Sequence, residues 1–430
     1  MISNKETNRK WFQEARFGMF IHWGLYSITG RDMWYYSHEM APKEKYERLA
    51  PRFNPIRYDP RAWAALAKRA GMKYAVLTTK HHDGFCLWDS KHTDFKITNT
   101  PYGKDLVAPW VDAFRAEGLE IGFYYSLLDW HHPHFLVDRL HPQRDRKEEL
   151  NKDREWDRYV EYMHNQIREL LTDFGRISIF WPDFSYDEKH APEWHSQELI
   201  QLMEDLQPGI LYNDRFGLKG ELEADFSTPE QYIPADDPAA KVKGVHAWEA
   251  CETIGESWGY HRCDQNNKST AQLVSELVTC VSRNGNLLLN VGPTPRGELQ
   301  REFVERLTQI GAWMDVNGES VCGAGPAAKP WYNPGCPHRR FAYTQKGANL
   351  YLHFFDRYPS YDLVLTPGID PGKIEYAEFL GDGTSVPVDF TVVDGEQRAR
   401  LRLPMITPDP YDTVVKIVLN TDGMASVSTM

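Results

Sequence analysis

Residues 73–90, KYAVLTTKHHDGFCLWDS, decide how the rest of the chain is read. The run YAVLT is rich in β-branched and aromatic side chains and shows no polar alternation, the pattern of a parallel strand covered on both faces. It leads straight into His81, His82, Asp83 and a glycine–aromatic turn. In parallel α/β folds the ligand sits outside the carboxyl ends of the strands, so these polar residues are expected at the rim of a crevice. For an arbitrary His-His pair the commoner situation is two hydrogen-bonded structural histidines.

The same grammar recurs on either side. Upstream, RFGMFIHW (16–23) is a short apolar strand ending in His22 and Trp23, and the irregular aromatic segment 30–58 reads as an excursion at the rim. A helix is expected over Asp59–Ala70, with Asp59 as cap and Pro60 in the first turn. Downstream, LVAPWVDAFRAEG as helix precedes LEIGFYYSLLDW as strand, and REWDRYVEYMHNQIRELLTDFG precedes RISIFWPDFSY. EWHSQELIQLMEDLQPG precedes ILYNDRFG; a loop (218–243), VHAWEACE, the helical STAQLVSELVTCVSRNG, NLLLNVGP and a last helix REFVERLTQIGAWMDVNGE follow. Repeated βα units over so long a span predict a (β/α)8-like, TIM-type barrel, possible irregularity included, since only about seven strands are legible and the eighth is weak or missing. A doubly wound sheet is the alternative, but no G-x-G-x-x-G turn follows the first strand.

From Gly323 the pattern changes to Gly/Pro clusters and short alternating runs, RRFAYTQ, NLYLHFF, DLVLTP, IEYAEFL, VPVDFTVV, RARLRLP and YDTVVKIVL. Turn pairs Asp382-Gly383 and Asp394-Gly395 join some of them, which predicts an antiparallel β-sandwich. The expected division is therefore a catalytic barrel over 1–325 and a C-terminal sandwich over 326–430, with NTDGMASVSTM as a tail.

A chain of 430 residues carrying a net charge of −12, from 49 Lys plus Arg against 61 Asp plus Glu, shows no basic cluster. Nucleic acid and anionic membrane surfaces are excluded as partners on that ground. No apolar run follows the basic residues of the N-terminus and none is long enough to span a bilayer, so no signal peptide and a cytoplasmic location are expected. The six cysteines form no C-x-x-C pair and are expected to be reduced thiols. Fourteen Trp and 22 Tyr are a heavy aromatic load, suited to stacking on the C–H faces of sugars and equally to a core. Whether the chain forms a homo-oligomer is left open.

Polar residues collected at strand ends are His22, His81, His82, Tyr124, Tyr125, Asp183, Asn213, Arg215, Glu249 and Asn290. This ring is poor in ligand spacing, so no metal and no cofactor are expected; His131-His132-Pro133-His134 is the most ligand-like run but lies in a loop without the rigid frame a site needs. Asp183 closes the otherwise uncharged strand ISIFW, as a nucleophile or a buried acceptor. Retaining glycoside hydrolysis needs one carboxylate to attack the anomeric carbon and a second to protonate the leaving oxygen. Candidate partners for Asp183 are Glu230, Glu249 and Glu252, and spacing does not choose between them.

The stretches RFGMFIHWGLYS, KYAVLTTKHHDGFCLWDSKHTDF, GFYYSLLDWHHP, LYNDRFG, STPEQYIP, WEACETIGESWGY and SRNGNLLLNVGPTPRGEL, in this order, resemble glycoside hydrolase family 29, the retaining α-L-fucosidases, over nearly the whole chain. The resemblance implies an exo-acting enzyme that removes terminal α-L-fucosyl residues from oligosaccharides or glycoconjugates through a covalent fucosyl-enzyme. It implies Asp183 as nucleophile and Glu230, in the STPE-like segment, as acid/base with its pKa raised by an apolar setting; Glu249 would be structural. His22, His81 and His82 would bind the sugar hydroxyls together with Tyr125, Trp34, Trp181 and Arg215. Phe20 and Trp258 would line an apolar pocket for the C5 methyl group. Two positions depart from the family pattern: Pro182 precedes the nucleophile, and Met33 stands where an acid often precedes Trp34, with Asp32 one residue earlier. A related α-L-glycosidase such as an α-L-galactosidase is the neighbouring reading. From other classes come a non-catalytic fucose-binding protein, against which both acidic candidates speak, and a metal-dependent barrel hydrolase.

Overall fold

The computed structural model describes residues 4–184, 189–217, 220–327, 341–355, 363–364, 371–393, 395–403 and 409–420. The Pro-rich stretch 328–340, Cys336 within it, Asp394 of one expected turn and the tail from 421 lie outside the described residues.

Eight parallel strands form one sheet: β1 (Phe17–Ile21), β2 (Tyr74–Lys80), β3 (Glu120–Ser126), β4 (Ile179–Asp183), β5 (Leu211–Tyr212), β6 (Ala224–Ser227), β7 (Val245–Thr253) and β8 (Asn286–Val291). Their order is β5-β4-β3-β2-β1-β8-β7-β6. The two edges meet through a single parallel bridge, Asn213 to Phe226, so the sheet closes into a barrel at its thinnest point. The eighth strand is β6, ADFS, inside the stretch read as a loop. Four residues with an aspartate among them carry too little apolar pattern to be seen without their neighbours.

The expected helices stand between the strands. Helix Pro60–Arg69 starts at Asp59, whose Oδ1 accepts the amides of Arg61 and Ala62 at 3.1 Å each. Helix Thr270–Ser282 starts at a capping box of Ser269 and Gln272. No helix among the described residues is long and apolar enough to cross a membrane. The rim excursion holds two short helices, Tyr35–His38 and Lys43–Glu47.

Strand residues alternate between two cores. Facing outward, Met19, Leu77, Phe123, Tyr125, Phe180 and Leu289 pack under the helices. Facing inward, Phe20, Tyr74, Val76, Tyr124, Trp181 and Leu288 fill the barrel, together with Phe12 and Ala15 of an N-terminal helix, Asn4–Ala15, which the sequence reading did not contain. That helix closes the amino end of the barrel. Phe12 packs on Phe226 with ring centroids 4.7 Å apart, and Asn286 Nδ2 donates to the Phe12 carbonyl at 2.8 Å. Asp225 of β6, buried, accepts from Arg9 Nε at 2.6 Å, Lys5 Nζ at 2.9 Å and the Tyr212 amide at 2.9 Å. The weakest strand is therefore held by charge as well as by the ladder.

One carboxyl lies inside the barrel below its rim. Glu249 is fully buried; Oε1 accepts from Trp181 Nε1 at 3.1 Å and Oε2 accepts from the Tyr74 hydroxyl. Burial pushes its pKa up to about 7, against the lowering effect of those two hydrogen bonds.

The C-terminal part is antiparallel. Strands β9 (Gly325–Pro326), β10 (Phe341–Lys346), β11 (Asn349–Phe354), β13 (Ile374–Phe379) and β16 (Thr413–Leu419) make a sheet in the order β13-β16-β11-β10-β9. Strands β12 (Leu363–Val364), β14 (Val388–Val393) and β15 (Glu396–Leu401) make the second, and Leu350, Leu352, Phe379, Ile417, Ala399 and Leu401 form the core. Trp313, on the last barrel helix, donates from Nε1 to the Asp412 carbonyl at 2.9 Å. The five described cysteines are unpaired.

Two consequences are measurable. Asp225→Ala takes the buried carboxylate from Arg9 and leaves Lys5 only Glu204 and the Ile210 carbonyl, and it is expected to cost about 3 kcal/mol in urea unfolding, the scale of breaking a buried pair; a change below about 0.5 kcal/mol would show that the helix docks by apolar contact alone. For Glu249 the folded pKa lies above the unfolded one, so its contribution to stability is full at low pH and is lost as pH rises from about 4.5 to about 7, a fall of about 3 kcal/mol. Glu249→Gln removes that slope, and parallel pH–stability profiles for variant and parent would mean that the group is ionised in the folded protein.

Candidate active site

The strand parity that fills the barrel also aims the site. Phe20 points inward on β1, so His22 two residues on does too; Trp181 points inward on β4, so Asp183 does too. Phe20, His22, Trp34, His81, His82, Trp181, Asp183, Arg215, Glu230 and Trp258 line one cavity at the carboxyl ends of the strands, joined by Met33, Tyr124, Phe184 and Cys251.

Tyr125 is not among them, and the expectation that it binds sugar is corrected. Its hydroxyl donates to Gln166 Oε1 at 2.8 Å on the outer face of the barrel, and the Lys80 ammonium lies 4.3 Å from its ring centre. The neighbouring Tyr124 takes the inward place and donates to Asp183 Oδ2 at 2.8 Å. Adjacent residues on a strand face opposite ways, so one of the pair had to be wrong. The tie between them is broken by pairing: Tyr124 lies beside inward Trp181 and Tyr125 beside outward Pro182.

Asp183 is the centre of a small charged network. Arg215 Nη1 meets Asp183 Oδ1 at 2.5 Å and Arg215 Nη2 meets Glu230 Oε2 at 2.9 Å. Arg215 Nε donates to Thr228 Oγ1 at 2.8 Å, and the guanidinium lies over the Trp181 ring at 4.6 Å. The arginine is thus fixed on four sides, and its two terminal nitrogens fix the two carboxylates. The segment bearing Glu230 is clamped to β7, with the Cys251 amide donating to the Pro229 carbonyl and the Gln231 amide to the Cys251 carbonyl, both at 3.0 Å. The apolar setting expected for Glu230 is not what surrounds it: its side chain is 41% exposed and sits on Arg215.

The other two carboxylate candidates are elsewhere. Glu249 lies beneath Trp181 with both oxygens occupied, and Glu252 is buried against Lys268 at 2.9 Å.

The three histidines are buried and uncharged. Burial lowers the pKa of His22 and of His82 to about 3 each, and that of His81 well below its usual value; neighbouring His82 adds to the effect on His22 and His81, and Lys80 with Arg215 to that on His82. His81 stacks on Tyr124 at 9° with centroids 5.5 Å apart. Asp83 turns away to brace the corner, accepting from the Tyr46 hydroxyl at 2.7 Å and the Phe85 amide at 3.2 Å. Gly84, at φ +79°, is required there: a Cβ would come within 2.2 Å of Asp129 Oδ1. Asp129 in turn pairs with Lys80 at 3.0 Å, both buried. Phe184, which the sequence reading did not single out, covers His82 with centroids 4.9 Å apart.

At the two departures, Pro182 faces outward and its carbonyl accepts from Asn213 Nδ2 at 3.2 Å, so the proline leaves Asp183 on the inward register. Met33 lines the cavity, while Asp32 turns its Oδ1 back to the Met33 amide at 2.5 Å. In the histidine-rich loop, His131 Nε2 meets Glu47 Oε1 at 3.1 Å and the His132 and His134 rings accept the amides of His134 and Glu155 at 3.2 Å each.

The fold and this site have known counterparts. The α-L-fucosidase family model matches residues 2–319. α-L-Fucosidase isoenzyme 1 of Paenibacillus thiaminolyticus shares 44% identity over 97% of this chain and 100% of its own, with a TM-score of 0.89. A family 29 α-L-fucosidase of Bacteroides thetaiotaomicron, solved as a trapped covalent intermediate with 2-fluoro-fucosyl fluoride, shares 28% over 96% of each chain at a TM-score of 0.82. The tissue α-L-fucosidase of Bos taurus is 31% identical over 82% of this chain and 76% of its own. With a family model spanning the barrel and relatives covering nearly the whole length, the chain belongs to the α-L-fucosidases of glycoside hydrolase family 29.

Proposed function

We propose that Asp183 is the nucleophile and Glu230 the acid/base with which this retaining α-L-fucosidase works. The observation that carries the reading is that the two carboxylates share one guanidinium, Asp183 on Nη1 at 2.5 Å and Glu230 on Nη2 at 2.9 Å. Such a shared clamp favours the close pairing of retaining glycosidases, about 5–5.5 Å, over the wider gap that leaves room for a water in inverting ones.

In the first step Asp183 attacks the anomeric carbon, the bond to the aglycone oxygen breaks, and that oxygen takes a proton from Glu230. In the second, Glu230 as carboxylate removes a proton from water, whose oxygen attacks the same carbon and expels Asp183. Two inversions return α-L-fucose. Asp183 is suited to the inner role because its side chain is only 10% exposed and receives the Tyr124 hydroxyl and the Arg215 guanidinium. Glu230 is suited to the outer role because it stands at the open side of the cavity, where a leaving oxygen and then water reach it. Glu249 has a raised pKa but no access, since Trp181 Nε1 and the Tyr74 hydroxyl cover both its oxygens. Phe20 and Trp258, with ring centroids 6.0 Å apart, offer the apolar corner for the C5 methyl, a contact that supports discrimination of about 1–3 kcal/mol. No group of three or more His, Cys, Asp or Glu side chains placed to hold a metal ion occurs among the described residues.

With an aryl α-L-fucoside the first product anomer is expected to be α, and Asp183→Ala is expected to lower turnover by about 10³-fold or more. Unimpaired turnover by that variant sinks the nucleophile assignment. Glu230→Ala should slow poor leaving groups most and recover with azide as external nucleophile; recovery in Glu249→Ala instead would transfer the role. Tyr124→Phe is expected to lower kcat/KM about tenfold, the scale of one charge-assisted hydrogen bond, while Tyr125→Phe leaves it within about twofold. The reverse ranking would restore Tyr125 to the site.

A further inference from the structure

Two short hydrogen-bond chains run from the cavity histidines into the backbone, and both end on a carbonyl. His82 Nδ1 lies 2.6 Å from Ser126 Oγ, and Ser126 Oγ lies 2.9 Å from the Leu128 carbonyl oxygen. His22 Nδ1 lies 2.7 Å from Asn290 Oδ1, and Asn290 Nδ2 lies 2.7 Å from the Trp258 carbonyl oxygen. All four side chains are buried.

A carbonyl only accepts. The single hydroxyl proton of Ser126 must therefore lie toward Leu128, because turning it to the histidine would set two bare oxygens against each other at 2.9 Å. Ser126 Oγ is then an acceptor on its other side, and His82 Nδ1 must carry the proton. Asn290 is fixed by the same logic: exchanging its oxygen and nitrogen would place two oxygens 2.7 Å apart at Trp258. Its Oδ1 faces His22, and His22 Nδ1 must carry the proton. A neutral imidazole has one N–H and one lone pair, so in each ring Nε2 is left as a bare acceptor. For His82 that atom is turned to the reacting centre, 3.9 Å from Asp183 Oδ2.

We propose that Ser126 and Asn290 are positioning residues that lock His82 and His22 in the Nδ1–H tautomer, so that the fucose cavity presents two imidazole lone pairs and binds only sugar hydroxyls that donate to them. Specificity then rests on the direction of hydrogen bonds as well as on shape. A hydroxyl facing either ring has to spend its proton on Nε2. A fluorine in the same place, which cannot donate, is rejected as fully as a hydrogen.

The second chain also ties specificity to the pocket wall. Trp258 supplies the carbonyl that orients Asn290 and the indole that stands 5.0 Å from the His22 ring. Gly292, at the end of β8, permits this: a Cβ there would come within 2.9 Å of that same carbonyl.

The proposal rests on the cavity being the fucose site, but its first test does not depend on which carboxylates react. Protein labelled with 15N-histidine, examined at neutral pH by two-bond proton–nitrogen correlation, is expected to show the Nδ1–H pattern for His82 and His22, in the parent and equally in Asp183→Ala. Ser126→Ala is expected to abolish it for His82 alone and Asn290→Leu for His22 alone, while Ser126→Thr, which keeps the hydroxyl, retains it. An Nε2–H pattern in the parent for either ring overturns the proposal. The second readout is competitive inhibition by L-fucose analogues with one hydroxyl replaced by hydrogen or by fluorine. At the hydroxyls facing the two rings both replacements are expected to weaken binding about tenfold and alike; fluorine that restores binding at every position overturns it too. In Ser126→Ala the penalty for losing the His82-facing hydroxyl should shrink while kcat changes little, whereas a merely structural role would lower kcat and leave the analogue ranking intact.

Discussion

A closed parallel barrel can send only every second side chain of a strand into its interior, and in this protein the whole molecule answers to that restriction. The inward set is first a core: Tyr74, Val76 and Leu288 fill the barrel, resting on Phe12 of the helix that plugs its amino end. One layer higher the same parity delivers Tyr124 and Trp181, and above them His22, Asp183 and Asn290. The layer at the cavity is the top of the packed column, and its side chains are aimed by the rigidity of what lies below them. Glu249 sits at the seam between the two, an acid kept out of solvent by the residues it supports.

Electrostatically the site is one guanidinium between two carboxyl groups, set among rings that carry no charge. Arg215 answers both Asp183 and Glu230, and its fixation by Thr228 and Trp181 means that neither carboxylate can drift without losing a partner. The buried histidines add hydrogen-bonding capacity with no further charge. This suits a neutral substrate, for which recognition has to come from the geometry of hydroxyls and from an apolar corner.

Much of this was legible in the sequence, and where it was not the reason is physical. Long apolar strands such as YAVLT and capped helices such as 59–70 announce themselves because their own residues carry the pattern. β6 does not, because its stability is borrowed: from β7, from the bridge to Asn213, and from Lys5 and Arg9 far away in the chain. Of the residues that the motifs single out for the site, all but Tyr125 line one cavity. Tyr124 and Tyr125 cannot be told apart from the sequence because two equal neighbours differ only in register, and register is a property of the sheet. The surroundings of Glu230 were misjudged because Arg215 reaches it from another strand end. Ser126, unlike Asn290, gave no sign at all, since a serine acquires its role only from the carbonyl on its far side.

The docking of the N-terminal helix has a consequence for how the protein comes into being. Arg9 and its partner Asp225 are 216 positions apart, and β1 finds its second neighbour only at Leu287–Val291. A nascent chain therefore leaves the ribosome with its first strand open along one edge for most of synthesis, and the ring is completed by contacts of very high sequence separation, which form late and slowly. The cavity is complete only when the last strand of the barrel has arrived, because that strand brings Asn290 to His22. The cavity is thus a product of ring closure, and the unfinished chain, with an open strand edge, is the state in which chaperones have the most to protect.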